Sequence, residues 1–127
     1  MKQKNNKPTE SELEILGILW DKKEATVRTV NEEISKTKDV GYTTTLKLMQ
    51  IMFEKGFVNR DESAKTHIYN PIVSREKTQK QFLSKIIDNL FAGSSTDLVL
   101  QALGNGNTSI EELDKIQIMI EELKKKK

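Results

Sequence analysis

The sequence contains no cysteine, which excludes disulfide bonds, thiolate metal sites and cysteine nucleophiles. Aromatic residues make up only 6% of its 127 positions, so its core is modest for its length and a partner is expected to cover some apolar surface. No apolar run approaches the roughly 18 residues of a membrane span, and the polar start of the chain does not resemble a signal peptide. We therefore expect a soluble cytoplasmic protein with one small domain, or one small domain and an appendage.

An excess of charge of one sign is also lacking, because 21 Lys and Arg stand against 19 Asp and Glu. This balance argues against a protein that binds nucleic acid through its overall charge. Residues 1–73 carry 12 basic and 11 acidic side chains, and residues 74–127 carry nine and eight, so neither part is basic as a whole. Between residues 41 and 60, however, Lys47, Lys55 and Arg60 face only Glu54, which predicts a locally positive surface.

Apolar spacings of three and four residues predict three helices in the N-terminal part. The first runs from Thr9, which forms a capping-box pattern with Glu12, to about Asp21. The second begins after Thr26, and the third spans about Thr43–Lys55, with one of its first threonines as the cap. The second and third helices are separated by about one turn of chain, which is typical of a helix-turn-helix.

The helical period ends after residue 56. Phe57–Arg60 and Thr66–Tyr69 are rich in β-forming residues and are joined by a polar loop, so they predict a hairpin whose second strand is ended by Pro71. Three helices followed by a hairpin is the winged-helix order. The predicted fold is therefore mainly α with a small β-hairpin, in which residues 1–73 form a winged helix-turn-helix domain and the hairpin is the wing.

Residues 74–127 are predicted to form a helical dimerisation domain. Ser95 is placed to cap its middle helix, and Ser109 with Glu112 forms a second capping-box pattern before the last helix. The apolar stripes of its first and last helices exceed what one subunit covers, so we expect a homodimer. An intramolecular cap over the first helix is the alternative. The expected dimer contacts are Phe82, Leu83, Ile86, Ile87, Leu90, Phe91, Leu113, Ile116, Ile120 and Leu123.

The order of elements also predicts where DNA would bind. The second helix of a helix-turn-helix enters the major groove, while the preceding helix and the wing contact phosphates. The expected DNA contacts are Arg28, Thr43, Thr44, Thr45, Lys47, Gln50, Lys65 and His67. The threonines would serve equally well as a cap followed by ordinary surface residues, so a winged helix that binds a protein instead of DNA stays open.

An enzyme is the least favoured class, because no catalytic arrangement of side chains accompanies a glycine-rich loop or pocket. We expect no cofactor. His67 is the only histidine, and the sequence supplies no partner ligands around it, so no metal site is expected.

Several short segments occur in an order that spans nearly the whole chain. They are LEIL at 13–16, ATVR at 25–28, GYTT at 41–44, HIY at 67–69, PIVSR at 71–75 and LFAGS at 90–94. This order resembles the penicillinase repressor (BlaI/MecI/CopY) family of bacterial transcription regulators. The resemblance implies a homodimeric repressor that binds a palindromic DNA operator through an N-terminal winged helix.

The same resemblance implies a membrane sensor metallopeptidase as a possible partner, with cleavage inside the dimerisation helices as the inducing event. Three features differ from relatives. Lys47 and Ile51 stand where relatives often have Thr and Arg, and Gln101-Ala102 occupies the position of the Asn-Phe bond cut in antibiotic-responsive members. The cysteine cluster of the copper-responsive branch is absent. The operator sequence and the inducing signal therefore do not carry over.

Overall fold

The computed structural model describes residues 7–127. The first six residues of the polar start, which we expect not to be a signal peptide, lie outside the described residues. The described elements are α1 (Glu10–Lys22), α2 (Val27–Ile34), α3 (Tyr42–Lys55), β1 (Val58–Asp61), β2 (Ile68–Pro71), α4 (Arg75–Leu90), α5 (Ser95–Gly104) and α6 (Ile110–Lys125). This order confirms the predicted fold class. The chain divides into two compact units, of which the first extends to Lys80 and the second comprises Gln81–Lys127.

Three helix starts follow the predicted capping patterns. The Thr9 hydroxyl accepts a hydrogen bond from the Glu12 amide at 3.2 Å, and the Thr9 amide donates to the Glu12 carboxylate at 2.9 Å. Ser109 begins α6 with the same type of capping box, and the Thr26 hydroxyl caps α2. Each bond satisfies an amide that the first turn of a helix leaves free.

Two predicted caps are wrong. Gly41, in extended backbone conformation, precedes α3 directly, so α3 begins earlier than predicted and none of residues 43–45 caps it. Ser94, and not Ser95, caps α5. The reason is the turn before α5, where Gly93 has a φ of +84° and Ser94 takes the extended conformation that a cap requires.

The core of the first unit lies between α1, α2, α3 and the hairpin. Its fully buried apolar side chains come from all of these elements and include Ile15, Leu19, Val30, Met49, Met52, Phe57 and Tyr69. Burying each of these large side chains contributes about 1.5–3 kcal/mol to folding. This single core holds α3 and the wing at fixed positions relative to each other.

The hairpin is confirmed, with strands shifted slightly toward the C-terminus of the predicted ranges. β1 and β2 are antiparallel, with Arg60 opposite Tyr69 and Val58 opposite Pro71 at the end of β2. Ala25, in the link between α1 and α2, exchanges two backbone hydrogen bonds with Tyr69, at 2.9 and 2.8 Å. This bridge fixes the wing beside the start of α2.

The first turns of α4 belong to the first unit. Trp20 donates a hydrogen bond from Nε1 to the Val73 carbonyl oxygen at 3.0 Å, and Arg75 forms a 2.6 Å ion pair with Asp21. Thr78 is buried. These contacts attach the start of α4 to the first unit, which extends to Lys80.

The second unit has no core of its own, because none of residues 81–127 is buried. Leu90 is 75% exposed at the end of α4, Leu100 is 62% exposed in α5, and Ile110 is 77% exposed in α6. Among the predicted dimer contacts, four are partly buried, namely Phe82, Ile87, Phe91 and Ile116. The other six are exposed, namely Leu83, Ile86, Leu90, Leu113, Ile120 and Leu123. None of the helices between residues 7 and 127 combines the length and the apolar character needed to cross a membrane.

Candidate nucleic-acid interface

A groove of about 480 Å³ lies in the first unit between α2, α3 and the hairpin. Its polar lining includes Arg28, Tyr42, Gln50, Arg60, Lys65 and His67. Four of these residues, Arg28, Gln50, Lys65 and His67, are predicted DNA contacts that come from three separate parts of the chain. The fold therefore brings half of the predicted set together around one concave surface.

The exposed face of α3 borders this groove. Thr43, Lys47 and Gln50 follow one another at spacings of four and three residues, so they share one side of the helix, and Thr44 is exposed beside them. The free amides at the start of α3 add a partial positive charge at the same end. The result is an exposed polar face that carries one basic residue, Lys47, and ends at an exposed acidic residue, Glu54.

Thr45 does not belong to this face, and its predicted contact with DNA is wrong in this structure. Its side chain is fully buried, and its hydroxyl accepts a hydrogen bond from Asn31 Nδ2 at 2.9 Å. Asn31 Nδ2 also donates to the Val40 carbonyl oxygen at 2.9 Å. Thr45 thus joins α3 to α2 and to the turn between them, because its position on α3 faces inward.

The predicted positive surface around α3 is also corrected. Lys55 Nζ lies 3.0 and 3.1 Å from the two carboxylate oxygens of Glu12, which is only 2% exposed, so this charge is used inside the unit. Arg60 is paired with Glu62 on the hairpin. Of the three basic residues predicted to form the surface, only Lys47 has no acidic partner in the described part of the chain.

The charges available to a ligand come instead from three elements. Arg28 on α2, Lys47 on α3 and Lys65 in the hairpin loop are all exposed. Within residues 7–127 none of the three forms an ion pair. Arg28 and Lys65 line the groove, and Lys47 lies on the exposed face of α3. Exposed lysine and arginine side chains are the residues that commonly contact DNA phosphates.

The hairpin contains a second set of charges. Hydrogen bonding to the Tyr69 hydroxyl, and then the hydrogen bond that Arg60 donates to the Glu62 carboxylate, raise the pKa of Arg60. Hydrogen bonds from Ser63, with a smaller contribution from the nearby His67, hold the pKa of Asp61 below its usual range. Arg60 and Asp61 are therefore both charged at neutral pH.

Sequence reasoning assigned Arg60 only to the general positive surface and gave no binding role to five other groove residues, namely Val27, Tyr42, Leu46, Thr66 and Tyr69. Tyr42 is 49% exposed at the first position of α3. Its spacing of three from Thr45 and seven from Met49 places it on the apolar stripe of the helix, so periodicity predicts burial. Only the position of the hairpin shows that it lines a groove. In the described part of the chain, no three His, Cys, Asp or Glu side chains gather as a metal site requires.

Comparisons with known proteins agree with this geometry. The family model "Penicillinase repressor" matches residues 8–122. The methicillin resistance regulatory protein MecI of Staphylococcus aureus (strain N315) is 28% identical over 121 residues, which cover 92% of this chain and 95% of that protein. The penicillinase repressor of Bacillus licheniformis is 23% identical over 119 residues, with 94% and 93% covered.

A solved structure supports the fold. The solution structure of the DNA-binding domain of the repressor BlaI matches with a TM-score of 0.52 and 22% sequence identity. The match covers 58% of this chain and 90% of that domain. It confirms the predicted winged helix-turn-helix fold.

Proposed function

Because this chain belongs to the penicillinase repressor family, a family of DNA-binding transcriptional repressors, we propose that it acts as a homodimer on a palindromic DNA operator. The observation that carries the proposal is the exposed polar face of α3, which lies beside a groove bordered by unpaired cations. Relatives are named as repressors and not as enzymes, and DNA is in the cytoplasm of bacteria, where we expect this protein.

In the proposed complex α3 is the recognition helix and enters the major groove, which is about 12 Å wide and admits one helix. Thr43, Thr44, Lys47 and Gln50 then face base edges and the nearest phosphates. A lysine pairs with guanine or phosphate, and a glutamine contacts adenine through two hydrogen bonds. These side chains supply sequence discrimination.

Phosphate contacts are assigned to the other elements. Arg28 at the start of α2 and Lys65 in the hairpin loop are unpaired cations that line the groove together with His67. Tyr42 adds a phenol hydroxyl, which donates readily to a phosphate oxygen. Each neutralised phosphate releases counterions, so binding is expected to weaken steeply as salt rises.

The second unit supports the proposed dimer. Leu113, Ile116, Ile120 and Leu123 repeat at spacings of three, four and three along α6, the pattern of a coiled-coil seam. None of them is buried within the chain, and the stripe on α4 is uncovered in the same way. A second copy related by a two-fold axis would cover both stripes and place two recognition helices about 34 Å apart, one DNA turn.

Repression is proposed to end through a signal that separates the paired units, such as proteolysis. Gln101 and Ala102 lie exposed in α5, between the stripes of α4 and α6. A cut in α5 would detach the α6 seam from the DNA-binding unit, and the affinity gained by binding two half-sites at once would be lost. A membrane sensor metallopeptidase, which the family resemblance implies, is the proposed source of the cut.

The proposal is tested by fluorescence anisotropy with DNA from upstream of the protein's own gene, repeated at several salt concentrations. We expect binding at least about 10³-fold tighter than to random duplex, in line with other specific repressors. Equal affinity for both duplexes would overturn the proposed function. Recovery of a protein partner with no DNA preference would favour a protein-interaction module instead.

A further inference from the structure

Arg60 lines the groove, and its positive charge is already paired with the Glu62 carboxylate. Its Nε donates a hydrogen bond to Glu62 Oε2 at 2.6 Å, and its Nη2 lies 2.5 Å from the same oxygen. The guanidinium carbon lies 4.0 Å from the centre of the Phe53 ring and 6.0 Å from that of Tyr69. Ring stacking and the carboxylate together hold this arginine against the end of the groove formed by the hairpin.

Glu62 differs from Arg60 in its surroundings. The Arg60 side chain is 19% exposed, whereas the Glu62 side chain is 49% exposed. Arg60 is the only polar partner of Glu62 in the described residues, and no hydrogen bond from Glu62 stabilises the hairpin backbone. The carboxylate is therefore partly exposed on the wing, three positions before Lys65, which is proposed to contact a phosphate.

The local charge balance shows what this carboxylate does. Arg28, Arg60 and Lys65 line the groove, and Asp61 and Glu62 follow Arg60 directly in the hairpin. Leaving His67 out of the count, these five side chains carry a net charge of +1, and loss of Glu62 would raise it to +2. Glu62 thus offsets one of the three positive charges that line the groove.

We propose that Glu62 weakens sequence-independent DNA binding by engaging Arg60 and by repelling phosphates from the wing. This inference rests on the proposed function. It identifies Glu62 as the residue that limits the electrostatic attraction between the protein and DNA. A repressor must find its operator among a large excess of other DNA, and sequence-independent binding is almost wholly electrostatic. A carboxylate in the wing therefore reduces retention on other sequences.

The substitution Glu62→Gln tests this proposal, since it removes the charge and preserves the size of an exposed side chain. We expect affinity for a random 30-base-pair duplex to increase about three- to tenfold at moderate salt, the effect of one charge close to a phosphate in a water-like dielectric. The plot of log K against log salt is expected to steepen by about one for each bound copy, as one further phosphate is neutralised.

Glu10→Gln is the matched control. Glu10 is an exposed glutamate in the first turn of α1, an element that contributes no side chain to the groove, and its replacement makes the same change in net charge. Its affinity and salt slope are expected to stay at wild-type values. Similar gains in both variants would overturn the proposal, because net charge alone would then explain them.

The double variant Arg60→Gln with Glu62→Gln tests the role of Arg60. Its affinity for random duplex is expected to return close to the wild-type value, because the arginine released by the first substitution is no longer present. A full gain in the double variant, or weaker binding by Glu62→Gln alone, would contradict the proposal. Circular dichroism melting of each variant checks that the winged helix is folded.

Measuring the wild-type protein on the operator region and on random duplex distinguishes the failure of one proposal from the failure of the other. If the wild-type protein does not prefer its operator region to random duplex, the proposed function fails. If it does prefer that region while Glu62→Gln and Glu10→Gln bind random duplex equally, only the role of Glu62 fails.

Discussion

Asn31 Nδ2 lies 2.9 Å from Thr45 Oγ1 and joins α2 to the first turns of α3 inside the helix-turn-helix. The same amide group donates to the Val40 carbonyl oxygen in the turn, so one side chain holds both the turn and α3. The exposed residues Thr43 and Thr44 stand directly before Thr45 on this helix. Their position on the exposed face of α3 therefore depends on a partly buried hydrogen bond.

Thr45→Val is expected to weaken both folding and operator binding, because it preserves the volume and removes the oxygen that accepts from Asn31. Asn31 then keeps only its bond to Val40, and leaving one N–H of this partly buried amide without an acceptor costs about 1 kcal/mol, the lower end of the usual range. Thr45→Ser is the control, since it retains the hydroxyl and loses a buried methyl group. We expect thermal melting to register both changes, while anisotropy shows an affinity loss for Thr45→Val alone. Equal affinity losses would show that packing, and not the hydrogen bond, positions α3.

Lys47→Ala is expected to weaken operator binding, because Lys47 is exposed and unpaired on the proposed recognition helix. If Lys47 contacts a phosphate, affinity falls for all sequences, and the slope of log K against log salt decreases by about one. If Lys47 contacts a base, discrimination at one operator position falls by about 1–3 kcal/mol. Lys77→Ala, an exposed lysine in the first turns of α4, is the control. A Lys47→Ala protein indistinguishable from this control would remove Lys47 from the interface.

Leu113→Asp is expected to yield monomers that bind the operator poorly, because a charge in the α6 seam cannot be buried between two copies without a partner. Ile118→Asp is the matched control on the same helix. Ile118 is 62% exposed and lies two residues from both Ile116 and Ile120, on the side away from the seam. Sedimentation velocity should show monomers for Leu113→Asp and dimers for Ile118→Asp. Dimers in both cases would place the interface elsewhere.

Lys55→Met is expected to destabilise the first unit more than Glu12→Gln does. The lysine substitution leaves a carboxylate that is 2% exposed without its ion-pair partner, whereas a glutamine at position 12 still accepts the capping hydrogen bond from Thr9. Breaking a buried pair from one side costs up to about 3–5 kcal/mol, and the partial exposure of Lys55 lowers our expectation to roughly 2 kcal/mol. Urea denaturation measures both variants. A double variant should recover much of the loss, and a double variant as unstable as Lys55→Met would refute the pair as the cause.

Capping and periodicity predicted much of the fold because both act over a few residues. Thr9 with Glu12 and Ser109 with Glu112 are three residues apart, so the sequence displays both partners of each capping box. The errors at α3 and α5 have a local cause as well. Gly41 and Ser94 take the extended conformation that precedes a helix, and neighbouring threonines or serines appeared equally suitable as caps.

The sequence by itself determined the helices, the hairpin and the exposed face of α3, because the spacing of apolar residues decides which side of a helix is buried in the core. Only the tertiary structure decided which charges remain available at the groove. Lys55 is neutralised by Glu12, which lies 43 positions earlier in the chain, and Arg28 and Lys65 reach one groove from different elements. A charge changes its role according to the partner that folding brings within about 4 Å, and sequence spacing does not contain that distance.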